Sequence, residues 1–124
     1  YEMWIGLVGS EDVYKRQYLR TYNFSGQESI YVGTGADSSG QIRIYDNSGE
    51  TGSFLGSGYF RTYNKFGKLT TFIGNASDGG GYLRTNNKFE TETVFLGTNN
   101  ANEGLINLND KFGQSFWIRL NKKN

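Results

Sequence analysis

Apolar and polar residues alternate through most of this chain, and the alternation restarts at a fixed interval. Tyr59-Phe60-Arg61-Thr62-Tyr63 alternates with a period of two and is rich in aromatic and β-branched types, which predicts a strand. Asn64-Lys65-Phe66-Gly67 follows, with Asn first and Gly last, as a type I turn prefers. Leu69-Thr70-Thr71-Phe72-Ile73 then reads as a return strand that ends at Gly74. Two strands joined this closely pair antiparallel. The Gly spacing and the lack of a 3.6-residue apolar period exclude a helix. The same reading along the chain predicts strands near 18–23, 28–33, 41–45, 51–55, 59–64, 69–73, 82–87, 92–96, 105–109 and 114–120.

The interval is a repeat. Residues 18–40, 59–81 and 82–104 are three copies of 23 residues, and 41–58 is the same copy with five residues missing from its last loop. Residues 105–124 form a divergent final copy. Alternation assigns the side chains to two faces. Leu19, Ile42, Phe60, Leu83 and Ile106 share one face with Val32, Leu55, Ile73 and Leu96 of the return strands, and this aliphatic set is the expected core. The other face carries Tyr18, Tyr59 and Tyr82, then Arg20, Arg43, Arg61 and Arg84, then Tyr22, Tyr45 and Tyr63. Tyr31, Phe54, Phe72 and Phe95 join that face from the return strands.

Composition narrows the architecture. A chain of 124 residues is one domain by size. Hydrophobic residues are scarce at 35%, but aromatics reach 16%, so large rings offset the shortage of aliphatics. Gly numbers 18 and Pro is absent, which fits many tight turns rather than disorder. A lone hairpin buries neither face, whereas stacked copies do. The fold class is therefore all-β, with tandem hairpin repeats over residues 18–124 forming a closed barrel, a hairpin solenoid or one chain of a fibre. Exposed edge strands at the ends of such an array predict self-association, as a trimer or edge to edge.

The pattern Arg-Thr-Tyr-Asn-x-x-Gly, then Ile/Leu-Gly, then Gly resembles the hairpin repeats of bacterial and phage proteins, both secreted repeat proteins and tail-fibre-like ones. The resemblance covers residues 18 to about 120 and implies a structural unit with an extracellular, cell-surface or virion setting. A related architecture is the β-flower, a shallow barrel ringed by hairpins and analogous to lipid-binding tubby-like barrels. The first seventeen residues stand apart. Trp4-Ile5-Gly6 looks like the end of a repeat, matching Phe72-Ile73-Gly74. Residues 7–17 (LVGSEDVYKRQ) resemble translated sequencing-adapter read-through from metagenomic assemblies, set where a loop belongs; the bland reading is a native strand with a longer loop.

Candidate chemistry is sparse. Neither His nor Cys occurs, which removes the commonest general base and every thiolate. The carboxylates Glu28, Glu50, Glu90, Glu92 and Glu103 fall at scattered repeat positions, so the repeat forces no pair together. No P-loop is present. No catalytic residue, cofactor site or metal site is therefore expected, and the chain reads as non-enzymatic. Asp37 and Asp78 align in Gly-rich loops, but one carboxylate per loop supplies calcium poorly, and Asx turns explain them better. A net charge of +1 gives no reason to expect nucleic acid, and no apolar run is long enough for a membrane-spanning helix. The one face with binding character is Arg20, Arg43, Arg61, Arg84, Tyr22, Tyr45 and Tyr63. Arg flanked by rings suits an anionic glycan or a lipid head group. The preferred reading is a structural stripe in which the guanidinium lies across neighbouring rings, because repetition by itself produces such rows. The sequence expectation is a non-catalytic structural or adhesive module, fibre-like or at a cell surface. A ligand-binding barrel using the Tyr/Arg face is the alternative.

Overall fold

The computed structural model describes the backbone of residues 5–9 and 17–120. All regular structure among them is β-strand. The strands fall into two compact units, Tyr1–Ser57 and Gly58–Asn124. The five-residue deletion in the second repeat copy lies at the junction of these units. The N-terminal unit holds β1 (Ile5–Gly9), β2 (Gln17–Tyr22), β3 (Glu28–Thr34), β4 (Gly40–Tyr45) and β5 (Thr51–Gly56). The C-terminal unit holds β6 (Tyr59–Tyr63), β7 (Leu69–Asn75), β8 (Gly81–Asn86), β9 (Glu92–Thr98), β10 (Gly104–Asn109) and β11 (Ser115–Leu120). The ten expected strands are all present, shifted at their ends by no more than two residues. β1 adds an eleventh.

Each unit is an antiparallel meander in which every strand pairs only with its neighbours in sequence. Neither β1 and β5 nor β6 and β11 come together, so neither unit closes on itself as a barrel. The meander follows from its turns. Asn64 N–H donates to the Lys68 carbonyl at 2.9 Å and Gly67 N–H to the Asn64 carbonyl at 2.9 Å. The Asn64 side chain accepts the N–H groups of Phe66 and Lys68 at 2.9 and 3.1 Å. Gly67 stands at φ 71°, left-handed backbone that favours glycine. A register shift follows in each such hairpin, as at Thr62/Tyr63, which accommodates the extra residue as a bulge.

The opposite end of the repeat carries the Asx turns expected at Asp37 and Asp78, in tighter connections than the word loop suggests. The Gly-rich segments predicted as loops are turns of the same design. Ala76 N–H donates to the Gly80 carbonyl at 2.7 Å and Gly79 N–H to the Ala76 carbonyl at 3.0 Å. The Asp78 carboxylate accepts the Gly80 N–H at 2.9 Å, an Asx turn. With tight turns at both ends, each unit runs as an open meander.

The suspected foreign segment lies mostly in residues 10–16, outside the described residues. Its first part, Leu7 to Gly9, pairs within β1, with Leu7 opposite Leu19. In the other copies the residue before the terminal Gly holds that place, as Ile73 does opposite Leu83. The repeat alone would put Ile5 opposite Leu19; the register is displaced by two residues, which preserves the faces.

The expected core is where the fold differs most from the sequence reading. The register does line the aliphatic residues up, as Leu19–Val32–Ile42–Leu55 in the N-terminal unit and Phe60–Ile73–Leu83–Leu96–Ile106 in the C-terminal one. Yet Leu55 and Leu96 remain 47% exposed. Among the described residues, the buried hydrophobic side chain is Phe72, on the aromatic face. With no second layer inside a unit, burial goes to side chains large enough to cover one another across strands about 4.8 Å apart. Rings do this and aliphatic side chains do not.

Candidate functional site

The Tyr/Arg face is built by cross-strand pairing. Arg20 stands opposite Tyr31, Tyr31 opposite Arg43, and Arg43 opposite Phe54. In the C-terminal unit the row runs Arg61, Phe72, Arg84, Phe95 and Asn107. Each row therefore alternates cation and ring, with Asn107 in place of the cation at the end of the second, because the repeat puts Arg on one strand of the hairpin and an aromatic on the return. A parallel row alternates Tyr with Gly: Tyr59 faces Gly74, Gly74 faces Tyr82, and Tyr82 faces Gly97. A Cβ at Gly74 would stand 2.6 Å from both the Gly58 carbonyl oxygen and the Tyr59 Cβ. The glycine is what lets the ring next to it lie down across the sheet.

The rings stack as a result. Tyr59, Phe72, Tyr82 and Phe95 form a continuous series with centroids 5.9, 4.7 and 5.4 Å apart and interplanar angles below 20°. Tyr18 and Tyr31 stack at 6.0 Å in the N-terminal unit. The guanidiniums lie over these rings. Arg61 is 4.6 Å from the Tyr59 centroid and 5.5 Å from that of Phe72. Arg20 is 4.9 Å from Tyr18 and 5.3 Å from Tyr31, Arg43 is 5.2 Å from Phe54, and Arg84 is 6.0 Å from Phe72. The Nε of all four is buried without a hydrogen-bond acceptor. Contact with the π faces offsets part of that cost.

The third set of candidate residues is less uniform. Tyr22 is exposed, while Tyr45 and Tyr63 are half-buried. The corresponding residue of the next copy is Asn86, whose side-chain amide donates to the Leu69 carbonyl at 3.0 Å. Asn109 repeats this toward the Glu92 carbonyl at 3.2 Å. The face thus changes from Tyr-edged to Asn-bridged along the chain.

In the N-terminal unit the face opens into a polar hollow of about 240 Å³, lined by Arg20, Glu28, Tyr31, Gln41, Arg43 and Tyr45 among others. Arg20 pairs with Glu28 at 3.2 Å. Burial pushes the Tyr45 phenol above its ordinary range, and the negative charge of Glu28 adds to this. Glu28 was not among the sequence candidates. Its position beyond the turn, one strand over from Arg20, was the available signal, but the other copies carry Thr51, Leu69 and Glu92 there, so no repeat rule marks it.

Chemically the arrangement holds charge and rings in fixed order. It does not converge acids or nucleophiles on a point. The Asp37 carboxylate is engaged by Ser39, whose Oγ and backbone N–H donate at 2.7 and 3.1 Å and hold it below its ordinary pKa. Among the described residues no group of three acidic side chains is placed to hold a metal ion. No helix there is long and apolar enough to cross a membrane. No known family model matches the chain, and no curated protein matches it.

Proposed function

We propose that this chain is a non-catalytic structural or adhesive β-repeat module, belonging to a fibre or a cell surface. The observation that supports it most is how the charged row is used. Each of the four repeated Arg guanidiniums lies over a ring of its own sheet, with its Nε buried. A residue committed this way stiffens the repeat, as a structural stripe should. The open meander with tight turns at both ends suits a chain extended by adding further hairpins.

The rival is recognition of a glycan or lipid head group, and the hollow between Arg20 and Arg43 favours it locally. A screen of glycans and of phosphatidylserine vesicles separates the two. In the structural reading no saturable binding depends on Arg43, and Arg43→Ala lowers thermal stability. Saturable binding abolished by Arg43→Ala, with melting unchanged, overturns it in favour of the binding reading.

A further inference from the structure

The turns that end the hairpins of the C-terminal unit carry side chains that turn geometry does not require. Asn64-Lys65-Phe66-Gly67, Asn87-Lys88-Phe89-Glu90 and Asp110-Lys111-Phe112-Gly113 each hold a Lys-Phe pair at the tip. Phe66, Phe89 and Phe112 are 68%, 73% and 73% exposed. In the N-terminal unit, Asp46-Asn47-Ser48-Gly49 makes the same turn with neither ring nor cation. There Asp46 N–H donates to the Glu50 carbonyl at 2.8 Å and Gly49 N–H to the Asp46 carbonyl at 3.1 Å. The turns at the opposite end of the C-terminal unit, residues 76–79 and 99–102, also lack both, and Asp78 and Glu103 accompany them. One end of this unit is thus aromatic and cationic, while the other is small, polar and acidic.

At each tip the ammonium lies over the neighbouring ring, with Nζ of Lys65, Lys88 and Lys111 5.1, 5.0 and 4.9 Å from the centroids of Phe66, Phe89 and Phe112. Among the described residues none of these three lysines pairs with a carboxylate, whereas Lys68 pairs with Glu90 at 3.1 Å. The other carboxylates of this end are engaged elsewhere. Asp110 accepts the N–H groups of Phe112 and Gln114, both at 2.9 Å, and Glu92 accepts the Asn109 amide at 3.4 Å. The tips are also tied to one another. Leu69 N–H donates to the Glu90 carboxylate at 3.2 Å, and the Asn87 side-chain amide donates to the Lys111 carbonyl at 3.2 Å. Glu90 does this from φ 66°, the left-handed place that Gly67 and Gly113 fill in the adjacent turns. Hairpins repeat every two strands, which sets neighbouring tips about 10 Å apart.

We infer that this end of the C-terminal unit docks on a lipid surface bearing anionic head groups, its rings entering the boundary between head groups and acyl chains and its lysines meeting the negative charge. The inference rests on the adhesive reading above and names the surface that is gripped. Exposed rings beside lysines are the chemistry that seats a peripheral protein in a membrane interface. Separate tips held in a fixed row need no partner shaped to them, as a groove or flat face would. A sugar stacks on an open ring face, and here an ammonium lies over one face of each ring. A flexible lysine also suits mobile head groups better than the rigid fork of Arg, and its stem lies along the apolar layer while the charge stays in water.

Flotation of the intact chain with vesicles tests this. Binding is expected to phosphatidylcholine vesicles containing about one-fifth phosphatidylserine, and it is expected to weaken with added salt or without the anionic lipid. Phe89→Ser is expected to weaken it about tenfold and Lys88→Gln about fivefold, with thermal melting unchanged because both side chains are exposed. Because the chain has no Cys, a polarity-sensitive dye on Phe89→Cys reports insertion directly. Its emission is expected to shift to the blue with anionic vesicles, while the same dye on Ala101→Cys at the opposite end stays unshifted. No binding to anionic vesicles overturns the inference and leaves the structural reading standing. So does binding that survives Phe66→Ser, Phe89→Ser and Phe112→Ser together. Self-association that this triple variant loses, without vesicle binding, overturns it by giving the rings to another copy. Vesicle binding abolished by Arg43→Ala with melting unchanged defeats both the inference and the structural reading.

Discussion

Phe72 and Ile73 are neighbours on β7, and they meet opposite fates. Phe72 keeps 7% of its surface exposed and Ile73 keeps 45%. One points into the aromatic face, where rings and guanidiniums from adjacent strands cover one another. The other points into an aliphatic row that nothing in its own unit covers. The lesson is that hydrophobicity does not decide burial in a single sheet; reach does. A flat ring spans the gap to the next strand, and an isoleucine does not. The more polar of the two faces is thereby the better packed.

Truncating each neighbour in turn breaks this comparison most directly. Phe72→Ala should cost about 3 kcal/mol, since it empties the centre of the ring series. Ile73→Ala should cost under about 1 kcal/mol in dilute solution. Urea denaturation of the two variants measures both. If the Ile73→Ala cost climbs with protein concentration, the second face is being covered by another copy.

The glycines that let the rings lie flat come next. A Cβ at Gly97 would meet the Tyr82 Cβ at 2.6 Å and the Gly81 carbonyl oxygen at 2.9 Å. Gly97→Ala should therefore destabilise by about 2 kcal/mol. Gly104→Ala, with nothing within 4 Å, should leave thermal melting nearly unchanged. Equal effects at the two positions would show that close approach is not what Gly97 provides.

Arg61→Ala should cost about 1 kcal/mol through lost contact with Tyr59 and Phe72. Arg61→Lys should recover only part of it, because a compact ammonium cannot lie flat across two rings. Full recovery by Lys, read by the same denaturation, would mean charge alone matters.

The smallest effect concerns pH. Hydrogen bonds from Ser48, side chain first and then backbone, hold Asp46 below its ordinary pKa. Glu90 is lowered by the Leu69 N–H and then by Lys68. With folded values depressed, the unfolded chain binds more protons, so this stability is present at neutral pH and is lost as the pH falls below about 4. Melting temperature should drop modestly on acidification, and Asp46→Asn should flatten that drop. A rise in melting temperature toward pH 3 would contradict the assignment.

Much of this was legible in the residues. Strand positions, turn sites and the membership of each face followed from period-two alternation and from Asn, Asp and Gly at fixed offsets. These are local properties, set within a few residues of backbone. The Arg row was legible for the same reason. The alternation of Arg with rings across strands needed the register as well, which puts Phe72 between Arg61 and Arg84. Glu28 beside Arg20 needed it too. Which face is buried belonged to tertiary structure alone. So did the failure of either unit to close. Alternation says which side chains share a side of the sheet; only what lies over that side, contributed by residues distant in sequence or by another copy of the chain, decides whether water reaches it.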